Sequence, residues 1–150
     1  MPPRPGHGAP FPRPDTGAKY WLMYLILCVP VPVLSWAAVV IVEFSLRGSA
    51  RRIGGPAEAN SRHALNWLLT WGLICVVTIA LHFGLLFALT GDGGVIRAED
   101  PLVWVPITSG ILLGVGVIGG GITTLVFMIL GAVRAASGRV FHPRIAIPFL

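Results

Sequence analysis

Residues 64–89 read ALNWLLTWGLICVVTIALHFGLLFAL, 26 positions without a formally charged side chain. Fourteen of them are Leu, Ile, Val or Phe. At roughly −0.3 to −0.6 kcal/mol each, these favour insertion into a bilayer by about 4 to 8 kcal/mol. Asn66 and His82 subtract from that gain without reversing it. The length matches one helical crossing of a hydrocarbon core roughly 30 Å thick. This stretch therefore predicts a transmembrane helix, and the flanking sequence has to be read in the same solvent.

Composition agrees. Of the 150 residues, 55% are hydrophobic and 11% charged, with a mean hydropathy of +0.80. A soluble domain carries roughly 25% charged residues, so this chain lacks the polar surface to meet water on all sides. The net charge is +5, and all 11 Lys and Arg residues lie outside the apolar cores. That distribution points to anionic lipid headgroups as a partner. Nucleic acid is not indicated, because the basic residues are scattered over short loops and a tail. Cys28 and Cys75 both sit in apolar stretches without neighbouring ligands and read as small buried hydrophobes.

Two further apolar stretches flank the first. Residues 20–44 are interrupted by Pro30-Val31-Pro32, and two prolines there break or sharply kink a helix. Half-helices of about a dozen residues are too short to span but suit a re-entrant hairpin; a kinked crossing is the other reading. Residues 102–133 exceed one crossing, so Pro106 is expected to separate an interfacial start from a span over 107–130. The fold class expected is thus all-α integral membrane, a compact helical bundle of one broken segment plus two transmembrane helices.

The remaining segments frame that bundle. Residues 1–17 hold six prolines and read as a disordered tail, leaving residues 18–150 as the membrane helical domain. Gly54-Gly55-Pro56 reads as a loop opening into a helix, so 56–63 should form a surface helical turn. Glu58 and Arg62 there can pair at i,i+4, as can Glu43 and Arg47. Residues 90–101 form a polar loop, and 134–150 a basic turn followed by an apolar end packed on the membrane face.

Orientation follows from the positive-inside rule. If residues 20–44 cross once, Lys and Arg divide 7 against 4; if they form a hairpin, 10 against 1. The sharper asymmetry favours a hairpin in the cell membrane with both termini cytoplasmic.

Few residues invite chemistry. Gly114, Gly116 and Gly119 match G-x-G-x-x-G letter for letter, but inside an apolar span and with no acid after Asp100. A dinucleotide site needs a strand-to-helix turn and such an acid. Gly110, Gly114 and Gly121 instead fall within about 40° of one another at 100° per residue, a stripe suited to close helix packing. Asn66, Thr70 and His82 are the polar intramembrane candidates. An interhelical hydrogen bond is expected for Asn66, and packing or a bond to a backbone carbonyl for His82. No nucleophile–base pair, metal-ligand spacing or cofactor motif is present, so no enzymatic activity, metal or cofactor is expected.

Three motifs carry a resemblance. Pro32-Val33-Leu34-Ser35-Trp36 resembles a P-L-I-I-W element, and Arg62-His63-Ala64-Leu65-Asn66-Trp67 an H/K-x-A-L-N-F signature. Residues 135–150, with Ala135-Ala136-Ser137-Gly138, His142-Pro143 and Ile145-Ala146-Ile147-Pro148-Phe149-Leu150, resemble a closing A-x-N-G-x-x-Y-x-Y-P-L-x-I-x-F pattern. Together they resemble the small bacterial membrane family called domain of unknown function 4870, considered related to the Tic-twenty channel subunit of the chloroplast inner-envelope translocon. Leu68 departs from a common glutamine, the turn after Gly138 is one residue short, and Arg144 replaces an apolar residue. The resemblance implies a helical bundle with cytoplasmic termini. It gives a fold much more than a function. The glycine stripe, Asn66 and the Tic-twenty resemblance together point to a non-enzymatic module that binds other membrane proteins or itself, as a translocation accessory. The broken first segment offers the alternative of a small transporter or channel.

Overall fold

The computed structural model describes residues 15–28, 32–90 and 101–150. The readings of residues 1–14, of the Pro30-Val31 break and of the polar loop at 91–100 lie outside the described residues. All regular structure among the described residues is helical. Helix α1 (Ala18–Leu22) continues as a 3-10 segment (Met23–Cys28), followed by α2 (Pro32–Ile53) and α3 (Gly55–Thr90). A short 3-10 lead-in (Pro101–Val103) precedes α4 (Trp104–Ala136). Helices α2, α3 and α4 are each long and apolar enough to cross a membrane, judged by length and composition.

Local chemistry sets these boundaries. Gly54 (φ +72°) and Gly55 (φ +56°) adopt the left-handed region that glycine alone enters without strain, which stops α2 and turns the chain into α3. The surface turn at 56–63 and the apolar stretch form one continuous helix of 36 residues, about 54 Å long. Pro106 does not separate a lead-in from a span. It is the third residue of α4, where a backbone N–H has no helical acceptor, so its ring leaves the ladder intact. The helix ends in a Schellman turn at Gly138 (φ +76°), with the Arg139 amide donating to Arg134 O at 2.9 Å and the Gly138 amide to Ala135 O at 2.8 Å.

Heights along α3 describe the packing. Gly17 faces Ala57 and Asn60, Trp21 reaches Asn60, and the Tyr24 hydroxyl donates to Ala64 O. The first segment thus climbs beside α3. Helix α2 starts higher, with Trp36 donating to Leu68 O at 3.2 Å and lying over Gly72. It then descends to Ile53, next to the start of α3. Helix α4 descends along the whole of α3, meeting it at His82–Ser109, Trp67–Thr124 and, near α1, Trp21–Gly131.

The core sits in the lower half, around Tyr20, Trp21, Tyr24, Val39, Leu65, Leu68, Met128 and Phe141. Three tryptophans define its packing: Trp36 lies on Gly72, Trp71 on Gly120 and Trp21 on Gly131, so close that a methyl group at any of these glycines would collide with the indole. Glycine is required there by the approach of a ring, not by backbone conformation. Edge-to-face contacts extend the cluster, with ring centroids 5.2 Å apart for Trp21–Phe141 and 4.8 Å for Trp67–Phe127.

Candidate functional site

The densest polar arrangement gathers on Asn60, two turns into α3. Its Oδ1 accepts from Trp21 Nε1 (3.3 Å) and from the Phe141 amide (3.0 Å). Its Nδ2 donates to Thr16 O (3.0 Å) and Arg139 O (3.2 Å). One buried amide thereby uses both donors and both acceptor positions to tie together the start of α1, α3 and the segment after α4.

That last segment forms a strap. From Phe141 beside Asn60 it runs without regular structure up α3 to Ile147, whose amide donates to Thr70 Oγ1 at 2.8 Å. Thr70 in turn donates to Asn66 O one turn below, at 2.7 Å. Thr70 therefore clamps the strap onto α3. Asn66 is 4% exposed, and its Oδ1 is enclosed without a hydrogen-bond partner. Below them His63 and His142 stack edge to face at 4.4 Å between centroids, a second contact between α3 and the strap. Asn66 and Thr70 thus share the base with Asn60, while His82 lies far above them.

His82 belongs to the upper part of the α3–α4 pair. Its Nδ1 is 2.9 Å from Ser109 Oγ, a side-chain bond between the two helices rather than one to a backbone carbonyl. Gly110 lies against the His82 ring, but Gly114 and Gly121 have open space before them. Besides Gly110, the glycines that α3 and α1 press upon are Gly116, Gly120 and Gly131, on a different face of α4.

The expected ion pairs do not form. Among the described residues the one ion pair joins Asp15 to Lys19. The Lys19 ammonium beside Asp15, with the Gly17 amide, holds that carboxyl below the usual range; Asp15 in turn raises Lys19. Glu43, placed at the interface by its i,i+4 spacing to Arg47, is instead fully enclosed, and neither carboxylate oxygen has a hydrogen-bond partner. Its side chain lies within electrostatic reach of the buried Tyr20 and Tyr24, and it makes no ion pair with Arg47. Glu58 and Arg62 both remain exposed and unpaired, since water screens a pair on an open helix face.

Among the described residues no three His, Cys, Asp or Glu side chains converge to hold a metal ion. Two apolar grooves open elsewhere: one beside Trp104 and Leu85, another between Val33, Trp71 and Val117. The chain matches no protein-family model, and neither a curated protein nor a solved structure matches it.

Asn60 was not singled out by sequence reasoning, and Glu43 only as an interfacial partner of Arg47; for Asn60 a signal existed. Ala57, Asn60, Ser61, Ala64, Leu65 and Leu68 recur at helical spacing, and all are buried. Reading 56–63 as a surface turn started the buried face at Ala64, about two turns too late, and Asn60 was left on the solvent side.

Proposed function

We propose that the chain is a non-enzymatic multi-pass membrane protein whose base binds other membrane proteins, as a translocation-type accessory. One observation carries this reading. The strap meets Thr70 six residues beyond Ala64, about 9 Å into the apolar stretch of α3 at 1.5 Å per residue. Ile145, Ile147 and Phe149 face outward there on non-helical backbone. Lipid cannot hydrogen-bond such backbone, so irregular segments at membrane depth persist only against protein or water. Helix α3 covers one side of the strap, and a partner protein on the other side meets the remaining requirement. The resemblance to the domain of unknown function 4870 family and its Tic-twenty relatives supports the same reading.

The heights also support a re-entrant hairpin. With the hydrocarbon core over 64–89 of α3, the apolar half of α2 (residues 33–42) reaches about 15 Å deep, half of a roughly 30 Å core. All eight described Lys and Arg residues then lie on one side, which the positive-inside rule assigns to the cytoplasm. A transporter or channel has less support, because Asn66 and Thr70 lie under the strap at 4% and 3% exposure rather than along a wetted path.

A photo-crosslinker placed at Ile147 and at Val115, followed by mass spectrometry of native membranes, tests the proposal. Protein adducts, to another protein or a second copy, are expected from position 147, and lipid alone from 115. Recovery of only the monomer from position 147 would sink it.

A further inference from the structure

We propose that His63 and His142 form a proton-released latch, which holds the C-terminal strap on α3 at neutral pH and frees it on acidification. The latch stands on the geometry of this chain alone. Its consequence, loss of the partner contact on acidification, rests on the reading above that a partner protein covers the strap.

The strap meets α3 at three heights. At the bottom the Phe141 amide donates to Asn60 Oδ1, and at the top the Ile147 amide donates to Thr70 Oγ1. His63 lies three residues above Asn60 and seven below Thr70, about 4.5 and 10.5 Å along the helix. There its ring meets that of His142 edge to face, with centroids 4.4 Å apart and planes at 70°. Above the Phe141 anchor, this ring pair and the Thr70 bond are the directional ties, beside the apolar burial of Pro143 and Ala146. His63 is half-buried and His142 exposed, so protons from water reach the pair.

Such a pair favours neutral rings, because two imidazolium ions at this separation repel and a half-buried one loses hydration. The neighbours offer no relief. On α3 itself Arg62 precedes His63, with the exposed Glu58 below. The strap brings His142, flanked by Arg139 and Arg144, and Arg134 of α4 stands over Phe141 at 5.5 Å. From the first segment Tyr24 reaches this height, its hydroxyl donating to Ala64 O. On α2, Glu43 and Arg47 fall near it by the antiparallel register fixed at Trp36–Leu68. Of all these, His142 and Arg62 bear on His63, and no carboxylate does. His63 lies just before the apolar stretch, and burial first, then these two neighbours, push it down to about 4. With the strap lifted, His63 faces water without His142 and returns to the ordinary histidine value of about 6.5. The open form therefore takes up the proton first, and the latch weakens as pH falls through that range toward about 4. Discounted for the partial exposure of His63, opening should rise about 10-fold from pH 7 to pH 5.

Hydrogen–deuterium exchange of the full chain in phosphatidylcholine nanodiscs tests the latch, with each amide corrected for the intrinsic pH dependence of exchange. The Ile147 amide should lose about 10-fold of its protection between pH 7 and pH 5, while the Phe141 amide, held by Asn60, keeps its own. His63→Phe retains a ring that takes no proton and should abolish the change. His142→Phe, at the exposed ring, removes one of the two charges and should reduce it. Equal protection of Ile147 at both pH values, or an undiminished loss in either variant, overturns the latch. Equal loss at Phe141 and Ile147 also overturns it, because the whole base then opens. A photo-crosslinker at Ile147 reports the partner separately. Protein adducts that fade at pH 5 in the wild type and persist in His63→Phe support the coupling, and adducts unchanged while the strap opens overturn it. Absence of protein adducts at either pH sinks the partner reading and leaves the latch to stand on exchange.

Discussion

Below Gly72, α3 is enclosed by α1, α2, α4 and the strap; above it, among the described residues, α3 packs mainly on α4, with only the start of α2 at Val33 reaching that level. Every buried residue of α3 lies between Ala57 and Gly72. Above that point Val76, Leu81, Phe83 and Phe87 stand exposed, as do Ile111, Leu112 and Val115 across from them. The sequence is no less apolar in the upper half. The difference is which surfaces each half buries. The base buries large rings on glycines and satisfies polar groups internally, as a soluble core does. The upper pair meets through small residues and one polar bond and leaves its apolar surface exposed, as the proposed membrane setting requires.

The contrast breaks most readily at Asn60. Asn60→Ala strands the Trp21 and Phe141 N–H groups in the core, at a cost of about 4 kcal/mol. Unfolding in detergent should report that loss, and the strap should become open to protease. A cost below about 1 kcal/mol would mean that the base is not held by its polar hub. Next comes Gly131→Ala, where overpacking against Trp21 costs about 2 kcal/mol. Gly121→Ala, with open space before it, should be neutral or gain up to about 1 kcal/mol in helix propensity. If thermal unfolding ranks these two glycines equally, the packing face of α4 has been misassigned.

In the upper half, a double-mutant cycle on His82→Leu and Ser109→Ala should give a coupling of only about 0.6 kcal/mol, the usual strength of such bonds between membrane helices. A coupling above about 2 kcal/mol would erase the distinction between the halves. The smallest effect belongs to Asp15 and Lys19. The depressed Asp15 value, due first to Lys19, contributes stability above the ordinary carboxylate range that is lost as pH falls toward the lowered value. The raised Lys19 value contributes below the ordinary lysine range and is lost as pH rises through it. With the side chains 39% and 31% exposed, water screens the pair to under about 1 kcal/mol. The contribution of this pair, read as the stability difference between the wild type and Asp15→Asn, should hold level between the ordinary carboxylate and lysine ranges and shrink on either side.

Much of this was legible in advance. Residues 64–89 declare a helix of membrane-spanning length through composition alone, because insertion energy sums over residues regardless of neighbours. The helical turn before it and the glycine stop after α4 follow from local backbone chemistry in the same way. Pro106 was harder. Whether a proline ends a helix depends on where that helix begins, and Trp104, two residues earlier, is not a recognisable start.

The site was less legible, for a related reason. Intramembrane depth drew attention to Asn66, Thr70 and His82, but what each polar group meets depends on which helix lies opposite. Thr70 holds a strap 77 residues away in sequence, and His82 finds a serine 27 residues on. Glu43 and Arg47 share a helix face at ideal spacing, yet Glu43 is fully enclosed, Arg47 is half-buried, and no ion pair joins them. Sequence by itself determined that the chain is helical, apolar at membrane-spanning length, and basic around its loops, since those properties are sums over local residues. Only the tertiary structure decided that α4 packs through Gly116, Gly120 and Gly131, that Asn60 is the hub, and that the C-terminal strap lies along α3. Those depend on which surfaces meet, and no local sum contains that.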